Sequence, residues 1–518
     1  MKQASVSQGF FVLSRTNIII KLISIIYVPV LLAIIGPAGH GDYALAYVYY
    51  GALVALLSEA ITKTTIRQVS AYQVKDKIDQ AVGFTRSARQ LILLMSLILA
   101  LVVSLASRPL AMVLQAPHLW LSLIILAISL IFVSLSAVYR AYFQASRRME
   151  VAGNAQVIEH LINAVLTITL SWLFLSRGLT YSLAGAAIGT LLGGLASLVY
   201  LHIKFHPISR GITGAASWQT TYLLIRPMLA ISLVLQLGHM LEALIVKQRL
   251  SGLGLTQELA SMAYSDITSY KMAQSIPLIL LSALATALYP AIIESVSQGD
   301  LERFYHRITQ SLRHIYFLTL PAAAGIALVA GPLNAFAFDG RWQREQLMMA
   351  AAFMVIPMSL AMIQQAILQS EGRLMVSQLP LVASTVITAV FSGLLIRPPF
   401  GVLGSVLAGY VGIISLCLTN QVLLHRRNVR INYLKNLTKP LIASLVLSLV
   451  LIALKVVLPL AVSRLANLGH MIVMILVGGV VYGGMMLLLK GISRQDVSTV
   501  SPGLVARLPR FIAQQLDE

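Results

Sequence analysis

The sequence predicts an all-α polytopic membrane protein of about fourteen transmembrane helices, with two parallel six-helix repeats around a central cavity plus two C-terminal helices. Three observations lead there. Hydrophobic residues make up 58% of the 518 residues and charged residues only 11%, whereas a soluble domain carries about 25% charged residues. Apolar runs long enough to cross a hydrocarbon core, about 20 residues each, recur along the whole chain. Short signatures also recur in its second half at a nearly constant offset. A soluble enzyme is excluded by the first observation alone.

The runs fall at 10–35, 43–68, 90–107, 119–143, 156–176, 182–203, 227–250, 263–293, 314–332, 346–370, 378–396, 401–424, 440–460 and 469–489. The run 263–293 holds Asp266, Lys271, Pro277 and Pro290. It is expected to be long and kinked, because proline removes a backbone donor and clashes with the preceding turn. The first run lacks a small-residue cleavage site after a short apolar core and reads as a retained helix. Alternate connections carry 22 lysines and arginines in one set and 6 in the other. The positive-inside rule then places both termini in the cytoplasm, as an even number of spans requires. The net charge of +20 is thereby assigned to cytoplasmic loops rather than to nucleic-acid binding. The single cysteine, Cys417, excludes a disulfide framework and a thiolate metal cluster.

Three segment pairs carry the repeat. Gln144-Ala145-Ser146 matches Gln369-Ser370-Glu371, Arg108-Pro109-Leu110 matches Gly331-Pro332-Leu333, and Leu183-Ala184-Gly185-Ala186 matches Val402-Leu403-Gly404-Ser405, at offsets of 225, 223 and 219. Their common order implies an N-terminal bundle at 1–203, a cytoplasmic linker at 204–226, a C-terminal bundle at 227–424, two extra helices within 425–489 and a cytoplasmic tail at 490–518. The linker, with Trp218 and several basic residues, is expected to lie along the membrane surface. An even number of helices per repeat gives parallel halves related by an axis along the membrane normal, an arrangement found in transporters. Gly185, Gly189 and Gly193 recur every fourth residue, a spacing that lets helix backbones approach closely.

Ionisable side chains inside apolar spans are costly, and those that persist usually face a cavity or a partner. Here they gather in the first two helices of each half. Lys21 lies in the middle of the first span. Glu59, Lys63 and Arg67 share one face of the second, at spacing four. The seventh carries His239, Glu242, Lys247 and Arg249, and the eighth carries Asp266 and Lys271. Lys21, Glu59, Lys63, Arg67, Glu242 and Lys271 are therefore candidate substrate-binding residues of a mainly basic cavity suited to a phosphate or pyrophosphate. Glu242 and Asp266 are candidates for ion coupling. The competing reading is a set of structural ion pairs, Glu59 with Lys63 and Glu242 with Lys247 or Lys271. Arg140 and Glu159 sit near cytoplasmic ends. The segment Gly36-Pro37-Ala38-Gly39-His40-Gly41, followed by Asp42, reads as a tight turn between helices. Phosphate-loop, zincin, catalytic-serine and paired-cysteine patterns are all lacking, so no catalytic residue and no metal site is expected.

The stretch IIKLISIIYVPVLLAIIGPAGHGDYALAY (19–47) resembles the opening of the polysaccharide flippases related to stage V sporulation protein B, in the multidrug/oligosaccharidyl-lipid/polysaccharide exporter superfamily. YRAYFQASRRMEVAGNAQVIEHLIN (139–163), LAGAAIGTLLGGLASLVYL (183–201) and LATALYPAIIESVSQGDLERFYHRITQSLR (284–313) are similar to later segments of the same family. The resemblance covers residues 8–430 in order. It implies fourteen helices in two bundles around a V-shaped cavity lined by helices 1, 2, 7 and 8. It also implies alternating access, and a lipid-linked saccharide carried on undecaprenyl pyrophosphate as substrate. In related lipid II flippases the last two helices form a groove for the lipid tail, a part that 440–460 and 469–489 would play here. Lys21 matches the family lysine, whereas Val28 and Ala33 stand where members often carry basic residues. Lys63 and Arg67 would supply that charge from the second helix.

The expected protein is thus a flippase of the bacterial cytoplasmic membrane and not an enzyme. It would need no cofactor, and a proton or sodium gradient or the membrane potential would drive it. Its expected partners are membrane lipids, the lipid-linked oligosaccharide, and a polysaccharide polymerase or glycosyltransferases, with no nucleic acid. The alternatives are a cation-coupled multidrug antiporter, which would want carboxylates to dominate the cavity, and a non-transporting scaffold for envelope polysaccharide assembly.

Overall fold

A computed structural model of the chain describes residues 6–210, 212, 217–297, 300–338, 340–370 and 374–491; for 6–14, 280, 282–297, 370, 374 and 375 only the backbone is described. Every described element is helical. The helices are α1 (Val6–Val74), α2 (Ile78–Leu105), α3 (Ser107–Val113), α4 (Trp120–Ala145), α5 (Met149–Leu175), α6 (Leu179–Ser209), α7 (Trp218–Ser251), α8 (Gln257–Ser297), α9 (Leu301–Ala337), α10 (Trp342–Ala352), α11 (Val355–Ser370), α12 (Leu374–Leu395), α13 (Leu403–His425), α14 (Thr438–Val457) and α15 (Arg464–Leu488).

Each of the fourteen apolar runs falls on helix. By length and apolarity, eleven helices qualify as spans among the described residues, or twelve if α10 and α11, bent by 42°, form one. An expectation of fourteen further counts α1 as two crossings and α8 as one. The apolar part of α1, Arg15–Val74, has 60 residues. At ~1.5 Å per residue it is about three times the ~30 Å hydrocarbon thickness. It is interrupted at Gly36, whose φ of 72° and ψ of 170° are not helical. That combination is open essentially to glycine alone.

The expected tight turn at 36–42 is therefore a single-residue break, with helix resuming at Pro37. Proline is tolerated there because the first residues of a helix have no intrahelical acceptor for their N–H groups. Within the expected linker, α6 extends to Ser209 and α7 begins at Trp218. Residues 211 and 213–216, where the rest of the expected surface segment falls, lie outside the described residues.

The chain divides into two compact units, Met1–Thr268 with Arg373–Leu416, and Ser269–Gly372 with Cys417–Glu518. In the first unit, Leu31, Ile61, Phe84, Leu130 and Phe143 are at the centre of a large apolar core drawn from α1, α2 and α4. The glycine row of α6 seats it against α5. A Cβ on Gly185 would lie 2.6 Å from the Leu170 carbonyl oxygen, one on Gly189 2.5 Å from Thr167 Oγ1, and one on Gly193 2.5 Å from the Glu159 carbonyl oxygen. Without hydrocarbon-excluding water, such backbone approach is what holds membrane helices together. In the second unit α9 is central. Its Ile308, Leu312 and Ile315 pack with Ile363 and Ile367 of α11 and Leu424 of α13. Farther along, Ala324 and Val329 pack with Leu447 and Leu451 of α14 and Met474 of α15.

Candidate functional site

On the α1 segment after Gly36, Glu59, Lys63 and Arg67 all point away from the packed interior. Lys63 Nζ lies 3.8 Å from Glu59 Oε2, with both side chains about half exposed. Lys21, on the segment before Gly36, is half-buried. Glu242 on α7 is half-buried, Asp266 on α8 is fully buried, and Lys271 is exposed and belongs to the second unit. Of the expected structural pairs, Glu59–Lys63 is present. Lys247 takes a different partner.

That partner is Asp42. Lys247 Nζ donates to Asp42 Oδ1 at 3.3 Å, and the side chains are 0% and 6% exposed. Ser261 Oγ of α8 donates to the same carboxylate oxygen at 2.7 Å and accepts from Lys247. His40 Nδ1 lies 2.8 Å from Ser265 Oγ. The approach is close because Gly41 has no side chain: a Cβ there would stand 1.8 Å from the Ser261 carbonyl oxygen. At the same end, Gln257 Nε2 donates to the Gln115 carbonyl at 2.6 Å, and Ser251 Oγ donates to Gln115 Oε1. Farther along α1, Tyr49 OH donates to the Met240 carbonyl at 2.9 Å, which ties α7 to α1. The ends of α7 and α8 that meet in their connection are thus fastened to the Gly36 end of α1.

His40, Tyr43, Tyr47 and Tyr50 recur at helical spacing and form one face of α1. The rings of Tyr43 and Tyr47 are 4.2 Å apart and those of Tyr47 and Tyr50 5.8 Å. Such offset or edge-on pairs contribute about 0.5–1.5 kcal/mol each beyond area burial. The hydroxyls of Tyr47 and Tyr50 find partners, as burial demands. Tyr47 OH bonds Thr190 Oγ1, Thr190 and Thr167 both donate to Asn163 Oδ1, and Tyr50 OH bonds Ser129 Oγ at 2.9 Å. Beyond this ladder, Arg140 Nη1 of α4 donates to Glu159 Oε2 of α5 at 2.8 Å.

Toward the other end of α2, Arg89 Nη1 donates to Tyr139 OH at 3.0 Å, and that hydroxyl lies 3.1 Å from His202 Nδ1. Arg86 holds the Ser209 and Ile212 carbonyls, which fixes the end of α6. In the second unit, Tyr433 closes the connection between α13 and α14. It accepts from Gln364 Nε2 at 2.8 Å and donates to Gln421. Burial pushes the Tyr433 phenol up from its ordinary pKa, and the bond from Gln364 works in the opposite direction. Among the described residues, no three His, Cys, Asp or Glu side chains gather as a metal site would require.

Sequence reasoning did not single out Asp42, Ser261, Ser265 or the Arg140–Glu159 pair as functional. Asp42 and Lys247 lie 205 positions apart, and no local spacing announces such a contact. Arg140 and Glu159 do carry a signal, opposite charges inside the two apolar arms of one helical hairpin.

These features can be set beside known proteins. Stage V sporulation protein B of Bacillus subtilis (strain 168) is 25% identical over 300 residues, 55% of this chain. The match spans 57% of that relative's length. The lipid II flippase MurJ of the same organism is 23% identical over 444 residues, 78% of this chain and 81% of the relative. A solved structure of lipid II flippase MurJ in an inward closed conformation superposes with a TM-score of 0.65 at 14% identity, covering 92% of this chain and 98% of that one. The fold is therefore that of a multi-pass membrane transporter and not of an enzyme. The family model described as polysaccharide biosynthesis protein matches residues 6–296. That match takes in α1 with Asp42, Glu59, Lys63 and Arg67, the glycine-packed α5–α6 pair and most of α8, and the chain belongs to the polysaccharide biosynthesis protein family.

Proposed function

We propose that this protein is a flippase that carries a lipid-linked oligosaccharide, borne on undecaprenyl pyrophosphate, across the bacterial cytoplasmic membrane by alternating access. The observation that carries this reading is the exposed row Glu59, Lys63 and Arg67 on α1. A charge placed in hydrocarbon costs at least about 2.5–3.5 kcal/mol. An exposed row inside an apolar helix therefore faces water or ligand rather than lipid tails. Together with Lys21, three of its four charges are basic, which suits a pyrophosphate and disfavours an organic cation. Glu242 extends the lining in this reading, and Asp266 with Glu242 serves ion coupling. MurJ, whose name gives lipid II as its cargo, supports a polyprenyl-linked substrate.

Both termini lie in the cytoplasm in this reading, and fourteen spans form two parallel repeats. The Gly36 end then faces outward, and the contacts of Asp42, Lys247 and Ser261 close that side while substrate loads from within. The pyrophosphate meets Lys21 and Lys63, the polyprenyl tail stays in lipid, and the saccharide leaves after the outer contacts part. A proton or sodium gradient, or the membrane potential acting on the anion, drives the cycle.

The test is headgroup translocation in proteoliposomes with an undecaprenyl-pyrophosphate oligosaccharide, comparing the native chain with Lys21→Ala and Lys63→Ala. Translocation that falls in both variants at equal folded protein supports the flippase and its basic lining. Translocation untouched by either variant removes these residues from the site. Export of cationic dyes without headgroup flipping overturns the reading.

A further inference from the structure

The connection between α13 and α14 joins two helices that each qualify as a span. α14 has 20 residues, a length of about 30 Å that matches the hydrocarbon thickness. Thr438 therefore stands at the edge of the hydrocarbon, and the connection before it lies at the level of the lipid headgroups. From Arg426 to Lys439 the chain holds five lysines and arginines and no aspartate or glutamate. Membrane topology asks only for that charge, which a disordered loop would supply equally well. This connection is ordered. Asn428 and Asn436, at φ of 59° and 68°, bracket it, and asparagine tolerates that left-handed backbone better than most residues. Between them the side chains alternate, as in an extended chain with one packed face. Val429, Ile431 and Tyr433 pack on the core that holds Ile308, Leu312 and Leu424, whereas Arg430, Asn432 and Leu434 are exposed. From α9, Tyr305 OH donates to the Asn428 carbonyl at 3.1 Å and Tyr316 OH to the Tyr433 carbonyl at 2.6 Å. Arg426 and Lys435 are exposed like Arg430, and among the described residues the side chains of these three make no hydrogen bond or ion pair. Lys439 Nζ is engaged by the Lys490 carbonyl at 2.9 Å. At the nearby start of α9, Asp300 pairs with Arg303 at 3.3 Å and Glu302 is exposed.

We infer that this strap is a docking surface for the headgroups of anionic phospholipids. Its inner face, pinned to α9 and the apolar core, holds the segment in place. Its outer face presents Arg426, Arg430 and Lys435 to lipid phosphates, with Leu434, 76% exposed, set to enter the acyl boundary beside them. Each basic side chain near an anionic membrane surface strengthens attachment by about fivefold, and that attraction is screened by salt. Negative lipid is thereby recruited to the edge of α14. The inference concerns the surrounding bilayer and does not depend on which cargo the protein carries.

The experiment is equilibrium binding of fluorescent phosphatidylglycerol to the full-length protein in a neutral detergent, with fluorescent phosphatidylcholine as the reference lipid. The native chain is compared with Arg426→Gln/Arg430→Gln/Lys435→Gln, with Arg430→Gln alone, and with the control Lys75→Gln/Lys77→Gln/Arg147→Gln. The control removes the same charge from connections where Asp76, Asp79 and Glu150 stand among the basic residues. Thermal midpoints in phosphatidylcholine alone verify that each variant is folded. The native chain is expected to prefer phosphatidylglycerol on the order of tenfold or more, and to lose that preference in about 1 M salt, where charges are screened within a few ångströms. The strap variant loses most of the preference, Arg430→Gln loses about fivefold, and the control keeps it. No preference in the native chain, a preference kept in both strap variants, or an equal loss in the control each overturns the proposal. So does a strap variant that binds phosphatidylglycerol normally but undecaprenyl pyrophosphate weakly, because the surface then serves the cargo. A failure on phosphatidylglycerol alone leaves the flippase reading intact.

Discussion

Lys247 and Asp42 form an ion pair at 3.3 Å that is almost wholly shut away from the surface, joining α7 to the α1 segment after Gly36. Removing one partner leaves the other charge buried and uncompensated, which costs about 3–5 kcal/mol. Replacing both with neutral side chains costs much less. Lys247→Met and Asp42→Asn are each expected to lower the thermal midpoint clearly, and the double variant is expected to recover most of the loss. Additive losses in a double-mutant cycle would show that the two side chains do not act together.

Gly41 sets how closely α8 approaches α1. With a Cβ 1.8 Å from the Ser261 carbonyl, Gly41→Ala forces the backbones apart, since neither can yield as a flexible side chain would. The contacts of Ser261 and Ser265 with Asp42 and His40 are expected to loosen. With Ser251→Cys in a chain that also carries Cys417→Ala, the new thiol should then react several-fold faster with a maleimide in detergent. Unchanged labelling would mean that α8 adjusts without opening this end.

Glycines in the same protein should respond in opposite ways. A Cβ on Gly189 meets Thr167 at 2.5–2.6 Å, through both its side chain and its backbone nitrogen, whereas one on Gly51 meets nothing within 4 Å. Gly189→Ala is expected to destabilise by about 1–3 kcal/mol through overpacking. Gly51→Ala should be neutral, or stabilising by about 0.5–1 kcal/mol through reduced backbone freedom in the unfolded chain. Thermal midpoints in one detergent decide the comparison, and a tolerated Gly189→Ala would remove the glycine row from the packing account.

The helical segments were legible in the sequence because one simple requirement, an apolar run long enough for the bilayer, generates most of them. The packing role of Gly185, Gly189 and Gly193 was legible for a similar reason: helical periodicity and close approach share one spacing. The Gly36–Gly41 segment was misread because glycine and proline signal a turn whatever their actual use. Here Gly36 supplies the unusual backbone angles, Pro37 opens a helix, and Gly41 makes room for a neighbour. The partner of Lys247 was beyond reach, since Glu242 lies near it in the chain while Asp42 reaches it only through tertiary packing. Charge inside apolar sequence identifies residues that need an explanation, but the partner of each is decided by the three-dimensional arrangement.

One feature of α1 bears on how its two ends communicate. The segment that carries Lys21 and the segment that carries Asp42 are joined by Gly36 alone, with no loop between them. A flexible loop dissipates motion, whereas a joint of one residue transmits it. A torque that frees Asp42 from Lys247 passes through two soft dihedral angles directly into the helix that bears Lys21. The first helical segment behaves as a crank arm, and the state of the fastening at one end is felt at Lys21 without any intermediary.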